Sequence, residues 1–406
     1  MPLDPPEGPV EGPSSRRPAL RTGDLFRAHD PAYAAAHGLT PAQHKVLRAL
    51  GACRTVALGG HLEVCDQCGF QRPAYNACRD RHCPSCLIGA QRDWLAKRLL
   101  RVVPTHHFHV VFTLPEELRP LALRNGAVVY DLLLRAAADV LDTLGRQRLG
   151  AQLGVTTVLH TWTRAMLFHP HVHCVVTGGG LTPDGQRWVP TARHFLFPVA
   201  VLRKLFRGAV RTGLRRATDA GKLDLGGACA DLAEPRAFAR LLRSLHRKRW
   251  VVYAKPPFAG PEAVFAYLGR YTHRVAISDH RLLAVDKSAV TFKTKFGERV
   301  TVTPDEFIRR FLLHVLPAGF HKIRHTGLYA SSNVHTRLVA AHALLGQGPK
   351  APPQPAPELP SNAESALRDV ADRSCPCCGK GVLVRLEVPR PPRRPNLPPP
   401  AAQDTS

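Results

Sequence analysis

His169–Gly180 reads HPHVHCVVTGGG: three histidines alternate with a proline and a valine, then an apolar run leads into three glycines. Strand residues two apart share a face, so His171 and His173 are expected to project side by side from one strand. Two imidazoles held that way form half of a metal site. A half-buried strand whose polar face happens to carry histidines has the same spacing, so the flanking sequence must decide. His169 has the same parity, but Pro170 disfavours regular pairing beside it. Gly178–Gly180 suits a turn leaving the strand better than a phosphate cradle.

Outward from this stretch, composition narrows the partner. The 406 residues carry 56 Lys and Arg against 31 Asp and Glu, a net charge of +25, and 44% are hydrophobic. A chain this long buries a substantial core and is expected to hold two or more units. The charge points to a polyanion, of which nucleic acid is the commonest soluble kind. No run of 18 apolar residues and no isolated basic amphipathic helix argues for a membrane. The N-terminus shows no apolar segment after its charges, so a non-secreted protein is expected. Eleven cysteines then read as metal ligands or buried thiols in a reducing, intracellular compartment, here the cytoplasm.

The cysteines cluster in HLEVCDQCGFQRPAYNACRDRHCPSC, His61–Cys86. Cys65 and Cys68 are spaced to curl around one ion, as are Cys83 and Cys86. Together the two pairs predict a closed tetrahedral site for structural Zn²⁺. Cys78 and His82 lie between the pairs as alternative ligands. Four protein ligands leave no open position, so such an ion holds a fold and does no chemistry. Arg72, Arg79, Arg81 and Arg92 suggest that this knob touches phosphates. CPCCGKG, Cys375–Gly381, has knuckle spacing at Cys375 and Cys378 but no second pair nearby in the sequence.

Coarse patterning places the remaining elements. Thr40 followed by Pro41 starts a helix towards Cys53, and a basic helix is expected from Ile88 to about Val102. Strands are expected over 106–115 and 155–163, with one helix over 118–149 between them. Asp184-Gly185 marks a hairpin back into 187–189. Residues 201–217 carry six basic side chains and no acid, and residues 236–255 carry seven and no acid. One-sign runs of this length favour a phosphate-tracking surface, with Arg247, Lys248 and Arg249 at its centre. Three short strands between 281 and 303 and a helix from Pro304 to about Val315 follow.

In AYLGRYTHR, Tyr267 and Tyr271 are four apart on an expected helix, so both hydroxyls share one face. Arg270 and Arg274 make a basic pair at the same spacing. A buried stripe of Val264, Tyr267, Leu268 and Tyr271 fits equally well when this segment is read alone.

Taken together, FTLP at Phe112–Pro115, the His-hydrophobe-His strand and the Tyr-x-x-Arg-Tyr helix resemble the two-tyrosine rolling-circle nucleases of the HUH type. With the cysteine block, the ordered set over about residues 40–345 resembles the rolling-circle insertion-sequence transposases whose type member is insertion sequence ninety-one. The resemblance implies that His171, His173 and a third ligand hold Mg²⁺ or Mn²⁺ against the scissile phosphate of single-stranded DNA. Tyr267 and Tyr271 are then the nucleophiles that form 5′-phosphotyrosine links at element ends and target, assisted by Arg270 or Arg274. For the third ligand His160 is favoured over His169, His106, His107 and His109.

The expected architecture is α+β. A leader spans 1–22, an N-terminal helix and zinc-binding domain 23–103, and an HUH-type nuclease domain with a central antiparallel sheet 104–346. A Pro-rich linker, the Cys375–Cys378 knuckle and a low-complexity tail fill 347–406. Two alternatives stand beside transposition: a replication initiator or relaxase of the same fold, and a non-catalytic zinc-dependent DNA-binding protein.

Overall fold

In a computed structural model of the 406-residue chain, the described residues are 20–87, 96–255, 275–294, 297–346 and 374–386. In chain order the first elements are α1 (Thr22–Ala36), α2 (Pro41–Ala52), β1 (Gly60–Cys65), β2 (Gln71–Tyr75), β3 (His107–Thr113), α3 (Arg119–Arg124), α4 (Gly126–Leu144), β4 (Gln152–Trp162), β5 (Phe168–Leu181) and β6 (Trp188–Pro190). There follow α5 (Val199–Asp219), α6 (Pro235–Arg247), β7 (Val252–Lys255), β8 (Leu282–Val285), β9 (Val290–Lys293), β10 (Arg299–Val302), α7 (Pro304–Leu312), β11 (Ile323–Gly327), α8 (Arg337–Leu344) and β12 (Leu383–Leu386). The architecture is α+β with antiparallel sheets. Two compact units form, Met1–Gly51 with Arg79–Pro355, and Ala52–Cys78 with Ala356–Ser406. The C-terminal knuckle segment therefore shares a unit with β1 and β2.

A six-stranded antiparallel sheet organises the larger unit, in the order β11-β4-β5-β3-β7, with β6 paired to β5. Alternation gives it two unlike faces. Phe108, Val110 and Phe112 of β3, Val155 and Leu159 of β4 and Val172, Cys174 and Val176 of β5 point into the main core. Against them α4 packs a stripe at helical spacing, Val129, Leu133, Ala137, Val140 and Leu144. Helix α5 adds Leu202, Phe206, Val210 and Leu214, four residues apart along one face. Each fully buried Leu or Phe contributes on the order of 2 kcal/mol. The opposite sheet face carries the histidines.

Caps set the helix starts. At α2, Thr40 Oγ1 accepts from Gln43 N at 3.3 Å, and Gln43 Oε1 accepts from Thr40 N at 2.9 Å, a reciprocal capping box. Glu234 and Thr303 cap α6 and α7 in the same sense, each with proline at the first helical position. The single helix expected over 118–149 is instead two, because Asn125 leaves helical geometry to bind Asp224. Its side chain donates to Asp224 O at 2.9 Å and accepts from Asp224 N at 2.6 Å. The expected helix from Ile88 is described only from residue 96, and the tyrosine helix lies outside the described residues.

The three glycines do not form a turn. They continue β5 to Leu181, and the turn comes later, at Gly185 with φ +76°. Gly180 is needed because a Cβ there would meet the Gln152 carbonyl oxygen at 2.6 Å and its carbon at 2.9 Å. Both are backbone atoms of the neighbouring strand and cannot swing aside. Gly180→Ala should cost about 1–3 kcal/mol, read as a lowered Tm; a Tm equal to wild type would contradict this packing.

Candidate active site

Pairing of β4 with β5 sets His160 opposite His171 and Val158 opposite His173. All three histidines therefore stand on the sheet face away from α4. Ring centroids are 5.4 Å apart for His160–His171, 4.4 Å for His160–His173 and 4.8 Å for His171–His173. One ligand nitrogen from each lies within 4.8 Å of the others. The fold thus brings the expected pair and the favoured third ligand to one place.

Hydrogen bonding fixes the tautomer of one ring. His171 Nδ1 lies 2.7 Å from the His169 carbonyl oxygen, which only accepts, so Nδ1 carries the proton and Nε2 keeps its lone pair. His173 Nδ1 and His109 Nε2 share a proton at 2.7 Å. Burial holds the His171 pKa down to about 4. Burial, with the neighbouring His160, His171 and His109, holds His173 well below the ordinary histidine value. Neutral imidazoles are the ligating form, so the donor set fits a divalent ion at neutral pH. Nitrogen donors suit Mn²⁺ better than Mg²⁺.

Of the competing histidines, His109 backs the trio through its bond to His173, and the other three are occupied elsewhere. His169 Nδ1 accepts from Arg119 at 3.3 Å. His106 contacts Thr191 Oγ1 at 3.2 Å. His107 donates from Nδ1 to Thr105 O and meets the Tyr329 hydroxyl at 2.7 Å through Nε2. The sequence reading missed the support behind the trio. Trp162 stacks on His160 with centroids 4.7 Å apart, and Lys322 Nζ sits 5.9 Å from the Trp162 ring centre. Burial and Arg81 push the Lys322 amine down to about 7. His314 closes the far side, donating to Met166 O at 3.1 Å and lying 3.1 Å from Thr161 Oγ1. Lys322 lies in the basic, histidine-rich stretch His321–His325, whose composition is the one sign of it in the sequence.

Other expected residues fall as follows. Tyr267, Tyr271, Arg270 and Arg274 lie outside the described residues. Arg247 and Arg249 are exposed at the end of α6. Lys248 between them is engaged, 3.4 Å from Glu116 and 2.5 Å from Glu117. Arg72 pairs with Glu63 at 2.6 Å, and Arg81 donates to the carbonyls of Leu316, Pro317 and Phe320. Neither of these two arginines is a free phosphate ligand.

The cysteines gather differently from the expected set. Cys65 and Cys68 meet Cys375 and Cys378, with all four sulfurs within 4.8 Å of one another. Cys83 and Cys86, expected to complete that site, are not in the group. The physical reason is strand pairing: β12 adds to β1 with Cys65 opposite Leu383, which carries the C-terminal knuckle to the first one. His82 is not a spare ligand, because Nδ1 contacts Asp80 at 2.9 Å and Nε2 accepts from Leu316 N at 3.1 Å.

The strongly basic chain, with cysteine knuckles and a histidine trio on an antiparallel sheet, is of the kind that acts on nucleic acid. Comparison with known proteins agrees. Residues 25–114 match the family described as "Transposase zinc-binding domain", and residues 154–336 match the family described as "Putative transposase". The chain belongs to the insertion-sequence transposases of the IS91 type, with an N-terminal zinc-binding domain. It is 46% identical over 382 residues to "Putative transposase y4qJ" of Sinorhizobium fredii, covering 92% of this chain and 96% of that protein. It is 28% identical over 360 residues to "Transposase for insertion sequence element IS801" of Pseudomonas savastanoi pv. phaseolicola, covering 86% and 85%. No solved structure matches. The protein is thus an enzyme acting on DNA, and its zinc-binding domain and cysteine clusters support structural Zn²⁺. Among the described residues no helix is long and apolar enough to cross a membrane.

The buried histidines make stability depend on pH. His107 and His314 are both fully enclosed, and burial holds each near pKa 4 against 6.5 in the unfolded chain. Below pH 6.5 the unfolded chain takes up protons that these rings refuse, so stability present above 6.5 is lost as pH falls towards 4. The loss should reach about 3 kcal/mol per ring. Urea midpoints should therefore drop from pH 7 to pH 5, and less so in His314→Gln; equal slopes in the two proteins would contradict the assignment.

Proposed function

We propose that this transposase cuts and rejoins single-stranded DNA through 5′-phosphotyrosine links, in a rolling-circle-like transposition. The observation that carries the reading is the convergence of His160, His171 and His173 on the face of the central sheet away from α4, in a chain of transposase family. These residues would hold Mg²⁺ or Mn²⁺, which supplies charge neutralisation at a scissile phosphate. Trp162 and the His171–His169 hydrogen bond keep two of the rings oriented, so little rearrangement is needed on binding.

Tyr267 and Tyr271 are the proposed nucleophiles. The attacking phenol loses its proton and forms a bond to phosphorus, while the bond to the 3′ oxygen breaks and that oxygen leaves as a hydroxyl. The phosphodiester energy is kept in the phosphotyrosine, so rejoining runs the same exchange backwards without ATP. A second tyrosine lets a second strand be cut while the first is held. Arg270 is proposed to stabilise the phenolate, since an ordinary tyrosine pKa near 10 makes a poor nucleophile. Arg247, Arg249 and Arg274 are proposed to track the DNA backbone, with Lys248 held back by its glutamates. Cys83 and Cys86 remain proposed zinc ligands, apart from the Cys65 group. Such a protein works inside the cell, in the cytoplasm beside DNA.

Incubation of the full chain with a labelled single-stranded oligonucleotide of an element end and Mn²⁺ should give a covalent protein–DNA adduct. The adduct should vanish in the Tyr267→Phe/Tyr271→Phe double variant; cleavage that persists there would refute the nucleophile assignment. His171→Ala should lower cleavage by about a hundredfold or more, because losing a metal ligand forfeits several kcal/mol of charge stabilisation. Unchanged cleavage by His171→Ala would put the ion elsewhere. Tight DNA binding with no adduct under any metal would favour the non-catalytic reading.

A further inference from the structure

The smaller unit contains a four-cysteine cluster whose halves lie about three hundred residues apart in the sequence. Its three-stranded sheet runs β12-β1-β2, with Leu62 opposite Leu386 and Cys65 opposite Leu383. The first knuckle is Cys65-Asp-Gln-Cys68-Gly69 and the second is Cys375-Pro-Cys-Cys378-Gly379. Their backbones are alike. Gly69 and Gly379 both take positive φ, +70° and +66°. Each glycine donates its N–H to the carbonyl of the first cysteine, at 3.1 Å for Gly69 to Cys65 and 2.9 Å for Gly379 to Cys375.

Amides also aim at sulfur in the same way. Gln67 N and Cys68 N donate to Cys65 Sγ at 3.4 Å each. Cys377 N donates to Cys375 Sγ at 3.4 Å, and Gly381 N to Cys378 Sγ at 3.3 Å. Such bonds stabilise thiolates and recur around structural metals. Asp66 locks the knuckles together, its N–H donating to Val382 O at 3.1 Å and its carboxylate accepting from Val382 N at 2.8 Å.

The sulfur spacing selects the chemistry. Cys65 Sγ and Cys378 Sγ are 3.8 Å apart, and Cys68 Sγ and Cys375 Sγ 3.6 Å apart. A disulfide needs about 2.05 Å. Four thiolates at about 2.3 Å from one tetrahedral ion stand roughly 3.8 Å from each other. Gly381 is part of the fit, since a Cβ there would overlap Cys65 Sγ.

We propose that Cys65, Cys68, Cys375 and Cys378 bind one Zn²⁺ as a split zinc ribbon, so that the C-terminal knuckle completes the N-terminal zinc unit. The tail from residue 374 is then a ligand-bearing part of that unit. Zinc joins two segments about three hundred residues apart and closes the intervening chain into a loop, which restricts the unfolded ensemble.

Metal analysis of the full chain tests this. The Cys375→Ser/Cys378→Ser variant should carry one Zn²⁺ fewer per chain than wild type, and adding Cys65→Ser/Cys68→Ser should remove no more. Cys377→Ser, which leaves all four sulfurs, should keep the wild-type content. Wild-type zinc content in the Cys375→Ser/Cys378→Ser variant would overturn the proposal. So would iron in place of zinc, or two disulfides found on denaturing alkylation. Should that variant fail to fold, Cys375→His keeps four ligands. With Co²⁺ bound, it should lose thiolate charge-transfer intensity and shift its visible bands to shorter wavelength; an unchanged cobalt spectrum would likewise overturn the site. Gly381→Ala, with every cysteine present, should release zinc to a chelator faster than wild type.

Discussion

The register between β4 and β5 is the constraint on which the rest of the larger unit depends. Side chains alternate with period two, so a slip of one residue would turn His160 into the α4 core and bring Leu159 out. Two features hold the register. On one face Val155, Leu159, Val172 and Val176 are buried against α4. At the far end Gly180 lies so close to the Gln152 backbone that any side chain there would force the strands apart. The apolar core thereby positions the polar site on its other side, and the histidines need no loop to bring them together.

That arrangement also settles the state of the imidazoles. Burial disfavours protons on His171 and His173, helped at His173 by the neighbouring imidazoles, so both rings stay neutral through physiological pH. Burial of the kind that lowers the His107 and His314 pKa values also keeps a lone pair available at His171. A basic surface at the end of α6 complements this, although its charges are not equivalent. Lys248 is spent on Glu116 and Glu117, leaving Arg247 and Arg249 exposed.

Local periodicity made much of this legible. The alternation His169–His173, the capping pair at Thr40 and the Asp184-Gly185 turn each depend on neighbours within a few residues, and each appears where the spacing puts it. What failed needed long-range information. The Asn125-Gly126 pair is a local breaker signal within the expected 118–149 helix, but the partner that fixes the break, Asp224, is 99 residues away. Proximity in sequence pairs Cys65 and Cys68 with Cys83 and Cys86, whereas strand β12 delivers Cys375 and Cys378 from the far end. Identical knuckle spacing in all three pairs gave no means of choosing. The resemblance to two-tyrosine nucleases rests in part on Tyr267 and Tyr271, outside the described residues, so the histidine face bears the structural weight.

His160, His171 and His173 are proposed to share one divalent ion. Electron-spin-echo measurement of Mn²⁺ bound to the full-length protein tests it directly, because imidazole nitrogens modulate the echo of a manganese they ligate. One bound Mn²⁺ per chain with strong ¹⁴N modulation is predicted, lost in His171→Ala/His173→Ala and weakened in His160→Ala. Manganese bound without nitrogen modulation, or modulation unchanged in these variants, would contradict the account.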